Sequence, residues 1–229
     1  MKKIGILFGM EDTFPQAFID RVNSKNENGI VAEAVTIDKV IQNKDGEYAV
    51  IIDRISQDVP FYRAYLKNAA LTGTNVINNP FWWSADDKFF NNALADTLGV
   101  PIPNTVILPS AEHPTDTTGK SFRNLKYPMD WEAIFDYVGF PAYMKPYAGG
   151  GWKNVYRLEN RDEFWDIHRE TGQLVMMLQE EIVFTEYFRV YCLGCKAVRI
   201  MQYEPRNPHH ARYVLDGPTV DKKLLATIK

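Results

Sequence analysis

Three consecutive glycines stand in the middle of the chain, with a lysine close to them on either side. The set comprises Lys145, Gly149, Gly150, Gly151 and Lys153. Glycine has no Cβ, so successive N–H groups can approach one phosphate oxygen, and lysine ammonium groups attract the same oxygens. This spacing predicts a phosphate-binding loop. A flexible hairpin tip is the alternative, and three glycines by themselves fit it as well.

The surroundings of the glycines separate this loop from two common phosphate-binding motifs. Its spacing is neither that of a P-loop nor that of a G-x-G-x-x-G turn that opens a helix. Residues 142–145 and 155–158 are β-like, so the glycines are expected to join two antiparallel strands. Protein kinases and ATP-grasp enzymes cover phosphates with a flap of this kind, and the kinase catalytic motifs are missing from this sequence.

The elements before the loop form a first group. Apolar patterns predict strands at residues 4–8, 31–37, 48–52 and 76–77 and helices at residues 14–22 and 60–71. The order β-α-β-β-α-β implies a small open parallel sheet with helices on its faces, by the rules for connections between strands. We therefore expect an α/β domain at the N-terminus.

The remaining elements predict an α+β arrangement. Helices are expected at 88–98, 130–138 and 160–170, strands at 105–108, 142–145, 155–158 and 174–179, and an antiparallel pair at 188–193 and 197–203. Ser84 and Asp87 make a capping pair for the first of these helices, and Asp130 and Asn160 can cap the other two. The polar segment 110–126 predicts a mobile loop.

Four stretches resemble the ATP-grasp superfamily, especially the carboxylate–amine ligases related to ribosomal-protein-modifying glutamate ligases and to glutathione synthetases. Residues 87–105 are similar to the lysine-bearing helix and the following strand of the family, 139–146 to its second lysine strand, 149–154 to its phosphate flap, and 177–186 to its adenine hinge. The order and spacing of these stretches cover about residues 1–204. The resemblance implies a pre-ATP-grasp domain at 1–79, a first lobe with the flap at 80–178, and a partial second lobe at 179–229.

The resemblance also implies the residues that bind ATP. Lys88 and Lys145 would contact the α- and β-phosphates, the hinge would hold adenine through Glu180 and Ile182, and Glu186 would accept hydrogen bonds from the ribose. The whole implied set is Lys88, Lys145, Gly149, Gly150, Gly151, Lys153, Gln179, Glu180, Glu181, Ile182 and Glu186. Exposed charges on helix and strand surfaces are the alternative for the lysines and for Glu186.

Two arginines follow the hinge on the predicted antiparallel pair. The alternation of side chains along a strand could direct Arg189 and Arg199 to the face that meets the nucleotide. There they would be catalytic residues that stabilise a transferring phosphoryl group or hold a substrate carboxylate. Arginines on half-exposed strands are common, so a structural role is an equal alternative.

The carboxylates that hold magnesium in the related ligases have no counterpart after Arg212. Residues 216–218 are turn-like and residues 221–229 start a helix. We expect ATP and Mg²⁺ as cofactors, with the metal ligands missing from this chain, and an ATP-grasp domain that is incomplete at its C-terminus.

The resemblance implies an ATP-dependent carboxylate–amine or carboxylate–thiol ligase. ATP would phosphorylate an unknown carboxylate substrate, and an amine-type acceptor would attack the acyl phosphate, while the flap excludes water. One alternative is a non-catalytic ATP-binding or regulatory protein on the same fold, which the missing metal carboxylates favour. Another is an unrelated α/β protein whose glycine loop only turns a hairpin.

Composition limits the partners of the chain. Its 229 residues include 26 Lys plus Arg and 29 Asp plus Glu, with a formal net charge of −3. The sequence has no block of basic residues for nucleic acid and no apolar stretch near the ~18 residues that span a bilayer. Cys192 and Cys195 lack a second pair at metal spacing, which favours strand residues over a redox pair or zinc site and indicates a reducing, cytoplasmic setting. A homo-oligomer is compatible with this composition.

Overall fold

The structure of the chain is a computed structural model, which describes residues 2–44, 46–81, 87–193 and 197–213. The predictions for Ser84, Cys195, the turn at 216–218 and the helix at 221–229 lie outside these residues. Contacts between Cα atoms divide the chain into two units, Met1–Glu180 and Glu181–Lys229.

The first unit begins with a parallel sheet. Its elements are β1 Lys2–Leu7, α1 Phe14–Lys25, β2 Ile30–Ala34, β3 Val50–Asp53, α2 Pro60–Leu71 and β4 Asn75–Ile77. The strand order is β2-β1-β3-β4, and each neighbouring pair is parallel. The predicted element order and the parallel sheet are confirmed.

This first sheet has its own apolar core, in which Leu7, Ile51 and Leu66 are buried. At Gly5 of β1, a Cβ would lie 2.5 Å from Cγ2 of Val35. Glycine therefore lets the segment after β2 pack directly on the central strand. Proline at the first position of α2 starts that helix, as the sequence indicates.

The first unit continues with an antiparallel sheet and three helices. Its elements are α3 Lys88–Thr97, β5 Thr105–Leu108, α4 Trp131–Val138, β6 Ala142–Pro146, β7 Tyr156–Leu158, α5 Arg161–Glu170 and β8 Met176–Glu180. The strand order is β5-β8-β6-β7, with all pairs antiparallel. The prediction that antiparallel strands flank the glycine loop is confirmed, since these strands are β6 and β7.

Local side-chain caps fix the starts of all three helices. Asp87 accepts from the backbone N–H of Phe90 at 2.8 Å, Asp130 from that of Ala133 at 3.1 Å, and Asn160 from that of Glu163 at 3.0 Å. The predicted caps at Asp130 and Asn160 are confirmed, and Asp87, predicted as one half of a pair with Ser84, is itself the N-cap of α3. Each cap satisfies an N–H group that has no partner inside its helix.

Residues 110–126, predicted as a mobile loop, are held to the turn after α5. The backbone N–H of Glu112 donates to the carbonyl of Gly172 at 3.0 Å, and that of Thr115 donates to the Gln173 side chain at 3.2 Å. A short 3₁₀ helix, Gly119–Phe122, begins with a capping box at Thr118. Hydrogen bonds to residues 172 and 173 therefore hold this polar segment in place.

The antiparallel sheet has two different faces. On one face Ala142, Met144 and Leu178 are fully buried against Phe135 of α4 and Phe164 of α5. Side chains alternate along each strand and directly paired residues share a face, so Thr105, Tyr143, Lys145 and Gln179 lie on the other. We call this second face the polar face.

The second unit contains an antiparallel pair, β9 Phe188–Leu193 and β10 Ala197–Gln202, as predicted. A short 3₁₀ helix, His209–Ala211, follows. Tyr203 and Tyr213 form an isolated bridge that closes the described part of this unit. Within the described residues of the chain, no helix is both long and apolar enough to cross a membrane.

Candidate functional site

Lys88 lies where α3 meets the end of β6. The Asp87 cap starts the helix at this residue, and the backbone N–H of Lys88 donates to the carbonyl of Tyr147 at 2.7 Å. The Lys88 ammonium donates to the carbonyl of Pro146 at 3.3 Å and to the carbonyl of Gly149. The helix start thus places a positive charge at the first residue of the glycine flap.

Lys145 lies on the polar face, near the end of β6. It is half-buried, and its ammonium donates to Oε1 of Gln179 at 2.6 Å. Burial lowers the pKa of the Lys145 ammonium, and repulsion from the charge of Lys88 lowers it further. The charges of the two lysines therefore act on each other, and the Lys88 ammonium lies at the start of the glycine flap.

The flap between β6 and β7 is built from left-handed backbone. Gly149 and Gly151 have φ of 85° and 70°, and Trp152 and Asn154 have φ of 64° and 55°. A Cβ at either of these glycines would meet no atom within 4 Å. Glycine is thus required for backbone conformation and not for close packing. Trp152 and Lys153 are exposed on this flap, as is Gly150.

The predicted hinge begins at the end of β8. The carboxylate of Glu180 accepts from the backbone N–H of Asn104 at 3.0 Å, and the N–H of Glu180 donates to the carbonyl of Asn104 at 2.9 Å. The side chain of Glu180 therefore ties β8 to the residue before β5. Sequence reasoning missed Asn104, because the bond joins residues far apart in the chain.

The rest of the predicted hinge belongs to the second unit. Ile182 is 49% exposed and Val183 is 91% exposed. Glu186 is also exposed, and Glu181 is half-buried and makes contacts of its own. The segment from Ile182 to Glu186 therefore presents apolar and acidic side chains at its surface.

The arginines of the second unit share a face of their strand pair, as the alternation predicts. Arg189 pairs with Met201, and Arg199 pairs with Tyr191, which is two residues from Arg189. The Arg189 guanidinium lies 4.2 Å from the ring centre of Tyr203 and 5.9 Å from that of Tyr213. These distances are those of cation–π contacts.

A tyrosine cluster surrounds Arg189 and was missed from the sequence. The hydroxyl oxygens of Tyr191 and Tyr213 lie 2.5 Å apart, and the rings of Tyr203 and Tyr213 meet edge to face. Arg189 and Tyr191 occupy alternate positions of β9, and Tyr203 directly follows β10, which was the available signal. Arg189 therefore has aromatic partners here although it is exposed, and Arg199 is exposed as well.

No group of three or more His, Cys, Asp or Glu side chains within the described ranges could hold a metal ion. Cys192 is a free, exposed cysteine on β9. Lys88, Lys145 and Lys153 bring positive charge to the polar face and the flap, and positive charges in this arrangement suit an anion.

No protein-family model and no curated protein sequence matches the chain. Solved structures do match. D-alanyl-alanine synthetase A from Vibrio cholerae has a TM-score of 0.60 and 13% identity over 99% of this chain and 78% of its own. The ATP-grasp ligase PsnB, complexed with a minimal precursor, Mg and ADP, has a TM-score of 0.55 and 18% identity over 87% of this chain and 72% of its own.

A RimK domain ATP-grasp protein from Sphaerobacter thermophilus is also similar, with a TM-score of 0.53 and 14% identity over 79% of this chain. The chain matches 64% of the length of that protein. At identities this low, the structural similarity shows the fold and nothing further. The chain has the ATP-grasp fold, and the predicted resemblance is confirmed at that level.

Proposed function

We propose that this chain is the ATP-binding part of a carboxylate–amine or carboxylate–thiol ligase that works through an acyl phosphate. The observation that carries the proposal is the pair of lysines, Lys88 and Lys145, whose charges act on each other beside the start of the glycine flap. Two neighbouring ammonium groups repel each other. A polyphosphate chain between them would attract both and so offset this repulsion.

The lysines and the flap would act by positioning and by charge. In the proposed reaction a substrate carboxylate oxygen attacks the γ-phosphorus, the bond from that phosphorus to the bridging oxygen breaks, and ADP leaves. The amine or thiol then attacks the acyl carbon, loses a proton, and displaces phosphate. Lys88 and Lys145 would hold the α- and β-phosphates, which carry the charge that grows on the leaving group. The flap, with Lys153, would cover the phosphates and exclude water.

The nucleotide base would lie at the hinge. We assign adenine to the backbone N–H and C=O groups of the segment that starts at Gln179 and runs through Glu181 to Ile182, and the ribose to the side chain of Glu186. The exposure of Ile182 supports an apolar contact with the ring. Arg189 and Arg199 remain candidates for the transferring phosphoryl group, although the tyrosines around Arg189 offer it a structural role.

Mg²⁺ is part of the proposal because of the resemblance to ATP-grasp ligases, and not because of residues in this site. PsnB is known in complex with Mg and ADP, and the resemblance implies Mg²⁺ for this chain as well. The described residues do not fit a metal, since they bring together no cluster of carboxylates. We therefore assign no step of the reaction to a metal held by these residues.

Two measurements test the proposal. Binding to the native state stabilises a protein, so ATP in large excess over its dissociation constant should raise the melting temperature of this chain. Phosphate release should then appear when ATP, magnesium and a suitable carboxylate and amine are supplied together. The same amount of GTP is a control for the specificity of the hinge.

The outcomes separate the three interpretations of the sequence. A ligase is stabilised by ATP and releases phosphate. A regulatory ATP-binding protein is stabilised by ATP and releases none with any acceptor. A protein whose glycine loop only turns a hairpin is not stabilised by any nucleotide, and this result would overturn the proposal.

A further inference from the structure

We propose that Gln179 is a positioning residue for Lys145, and that Thr105 and Asn92 fix which end of the Gln179 amide faces that lysine. The inference rests on the proposed function, because it takes Lys145 as a phosphate ligand. It adds a neutral side-chain relay that links the sheet to the helix carrying Lys88.

The Gln179 side chain is bonded at both ends. Its Oε1 accepts from the Lys145 ammonium at 2.6 Å, and its Nε2 donates to Oγ1 of Thr105 at 2.8 Å. Gln179 and Thr105 are direct partners in the pairing of β5 with β8, so both side chains leave the sheet on the polar face.

The Thr105 hydroxyl decides the orientation of the amide. Oγ1 of Thr105 donates to the carbonyl of Pro103 at 2.8 Å, and this uses its single hydrogen. Towards Gln179 the hydroxyl can therefore only accept, so it selects the NH₂ end of the amide. The carbonyl end is then left for Lys145, as an ammonium group requires.

Asn92 extends the relay to α3. Its Nδ2 donates to the same Thr105 hydroxyl at 3.2 Å. Lys88 and Asn92 are four residues apart and lie on one face of the helix. The face that carries Lys88 to the flap thus also carries Asn92 to the sheet, and the hydrogen bonds of the relay join the helix of Lys88 to the side chain that holds Lys145.

A neutral acceptor suits this position better than a carboxylate. An amide oxygen orients the Lys145 ammonium and leaves its net charge available to an anion. A carboxylate would pair with the ammonium and repel the phosphates, and this effect would be strong because the lysine is half-buried. The charged group known to act on Lys145 is Lys88, which adds to the attraction for phosphate.

The test compares ligands with and without phosphates. Dissociation constants for ATP and for adenosine are measured by calorimetry and ligand-observed NMR for the wild type and for Gln179→Glu. We expect ATP to bind roughly tenfold or more weakly, a change of ~1.4 kcal/mol or above, while adenosine binding stays within about twofold. Gln42→Glu adds the same charge at an exposed position in the connection between β2 and β3 and should leave both constants unchanged.

A second pair of variants tests the relay without a change of charge. Thr105→Val removes the acceptor that orients the amide, and ATP should bind about threefold to tenfold more weakly, whereas Thr105→Ser keeps the hydroxyl and should restore most of the affinity. A residue needed only for folding would lower ATP and adenosine binding together and would not be rescued in this way.

The results distinguish this inference from the proposed function. If Lys145→Ala loses ATP affinity and Gln179→Glu and Thr105→Val both bind ATP like the wild type, the relay is refuted and the ATP site stands. Equal losses of ATP and adenosine affinity in both variants also refute the relay. If the wild type binds no ATP, the proposed function fails and the relay fails with it.

Discussion

At the scale of single residues, the two lysines dominate the candidate site. Lys145 sits on a strand whose alternate residues are fully buried, and Lys88 occupies the first position of a capped helix. Both are held by neutral acceptors, namely the Gln179 amide and the backbone carbonyls of Pro146 and Gly149. The Lys145 ammonium is thus oriented by an uncharged partner and keeps its net positive charge.

Replacing Lys145 by alanine should weaken ATP binding without unfolding the chain. A hydrogen bond to a charged group contributes about 1.5–3 kcal/mol, which corresponds to roughly a tenfold to hundredfold loss of ATP affinity. Lys120→Ala is the matched control, because Lys120 is an exposed lysine on the 3₁₀ helix of the segment 110–126. Calorimetry of both variants checks the prediction, and wild-type affinity in Lys145→Ala would remove this residue from the site.

The pH dependence of ATP binding should report the same lysine. Burial and the charge of Lys88 lower the pKa of Lys145 below its ordinary value of 10.5. The protonated form binds phosphates, so ATP affinity should be full below the lowered pKa and should fall as the pH rises through it. In Lys145→Arg this decline should move to higher pH, because the guanidinium stays charged. Affinity that does not change with pH in the wild type would contradict a lowered pKa.

Sequence patterns identified the glycines and the lysines because their signal is local, a run of small residues between basic ones. They did not identify Thr105, Asn92 or Asn104. The contacts of these residues depend on the pairing of β5 with β8. In the chain, β6, β7 and the helices α4 and α5 lie between these two strands. The register between distant strands is set by packing contacts, and these contacts cannot be read from the sequence alone.

At the scale of elements, the flap offers a comparison among its own glycines. Gly149 and Gly151 have left-handed backbone and Gly150 does not, while a Cβ at any of the three meets only open space. Alanine should therefore be strained at positions 149 and 151 by about 1–2 kcal/mol each and be tolerated at 150. Unfolding free energies of Gly149→Ala, Gly151→Ala and Gly150→Ala check this, with the last as the control. Equal losses in all three would mean that the backbone conformation is not what the glycines provide.

Element boundaries followed the sequence where a local signal exists. Proline at the start of α2 and capping side chains at the starts of α4 and α5 mark those helices. Strands were less sharply defined, and the predicted strand at 48–52 is Val50–Asp53 in the structure. Tyr48 and Ala49 have apolar side chains suited to a strand, but the ladder begins at Val50, opposite Ile4 of β1.

At the scale of the whole molecule, stability at low pH should depend on one buried histidine. His168 of α5 stacks on Phe164, and Nε2 of its ring lies 3.2 Å from the carbonyl oxygen of Pro109. Burial lowers the pKa of His168, so the folded chain holds the neutral ring where the unfolded chain binds a proton.

The stabilisation from His168 is full above the unfolded pKa of about 6.5 and is lost as the pH falls below it. The melting temperature of the wild type should therefore drop between about pH 7 and pH 5 by more than that of His168→Phe, which has no proton to gain. Circular dichroism melts of both proteins at several pH values measure the difference. If the melting temperatures of the two proteins fell equally with pH, His168 would not be the cause of the acid sensitivity.

The order of strands was the part of the architecture that the sequence left open. The connection rules led to the first sheet, since its strands alternate with helices along the chain. The second sheet has the order β5-β8-β6-β7, in which the last strand lies between the first two. This strand order depends on how the apolar faces of the elements pack in the core around Phe135 and Phe164. The pattern of apolar residues along the chain does not predict it.

That strand order has a consequence for the chain as it leaves the ribosome. The parallel sheet can close once β4 has emerged, and β6 and β7 can pair as a hairpin soon after they appear. The apolar strand β5 stays unpaired until β8, its partner in the sheet, has been synthesised. Domains near the N-terminus generally fold first during translation, and unpaired strand edges are prone to aggregate. Nascent chains arrested between β7 and β8 should therefore be the ones that need a chaperone most.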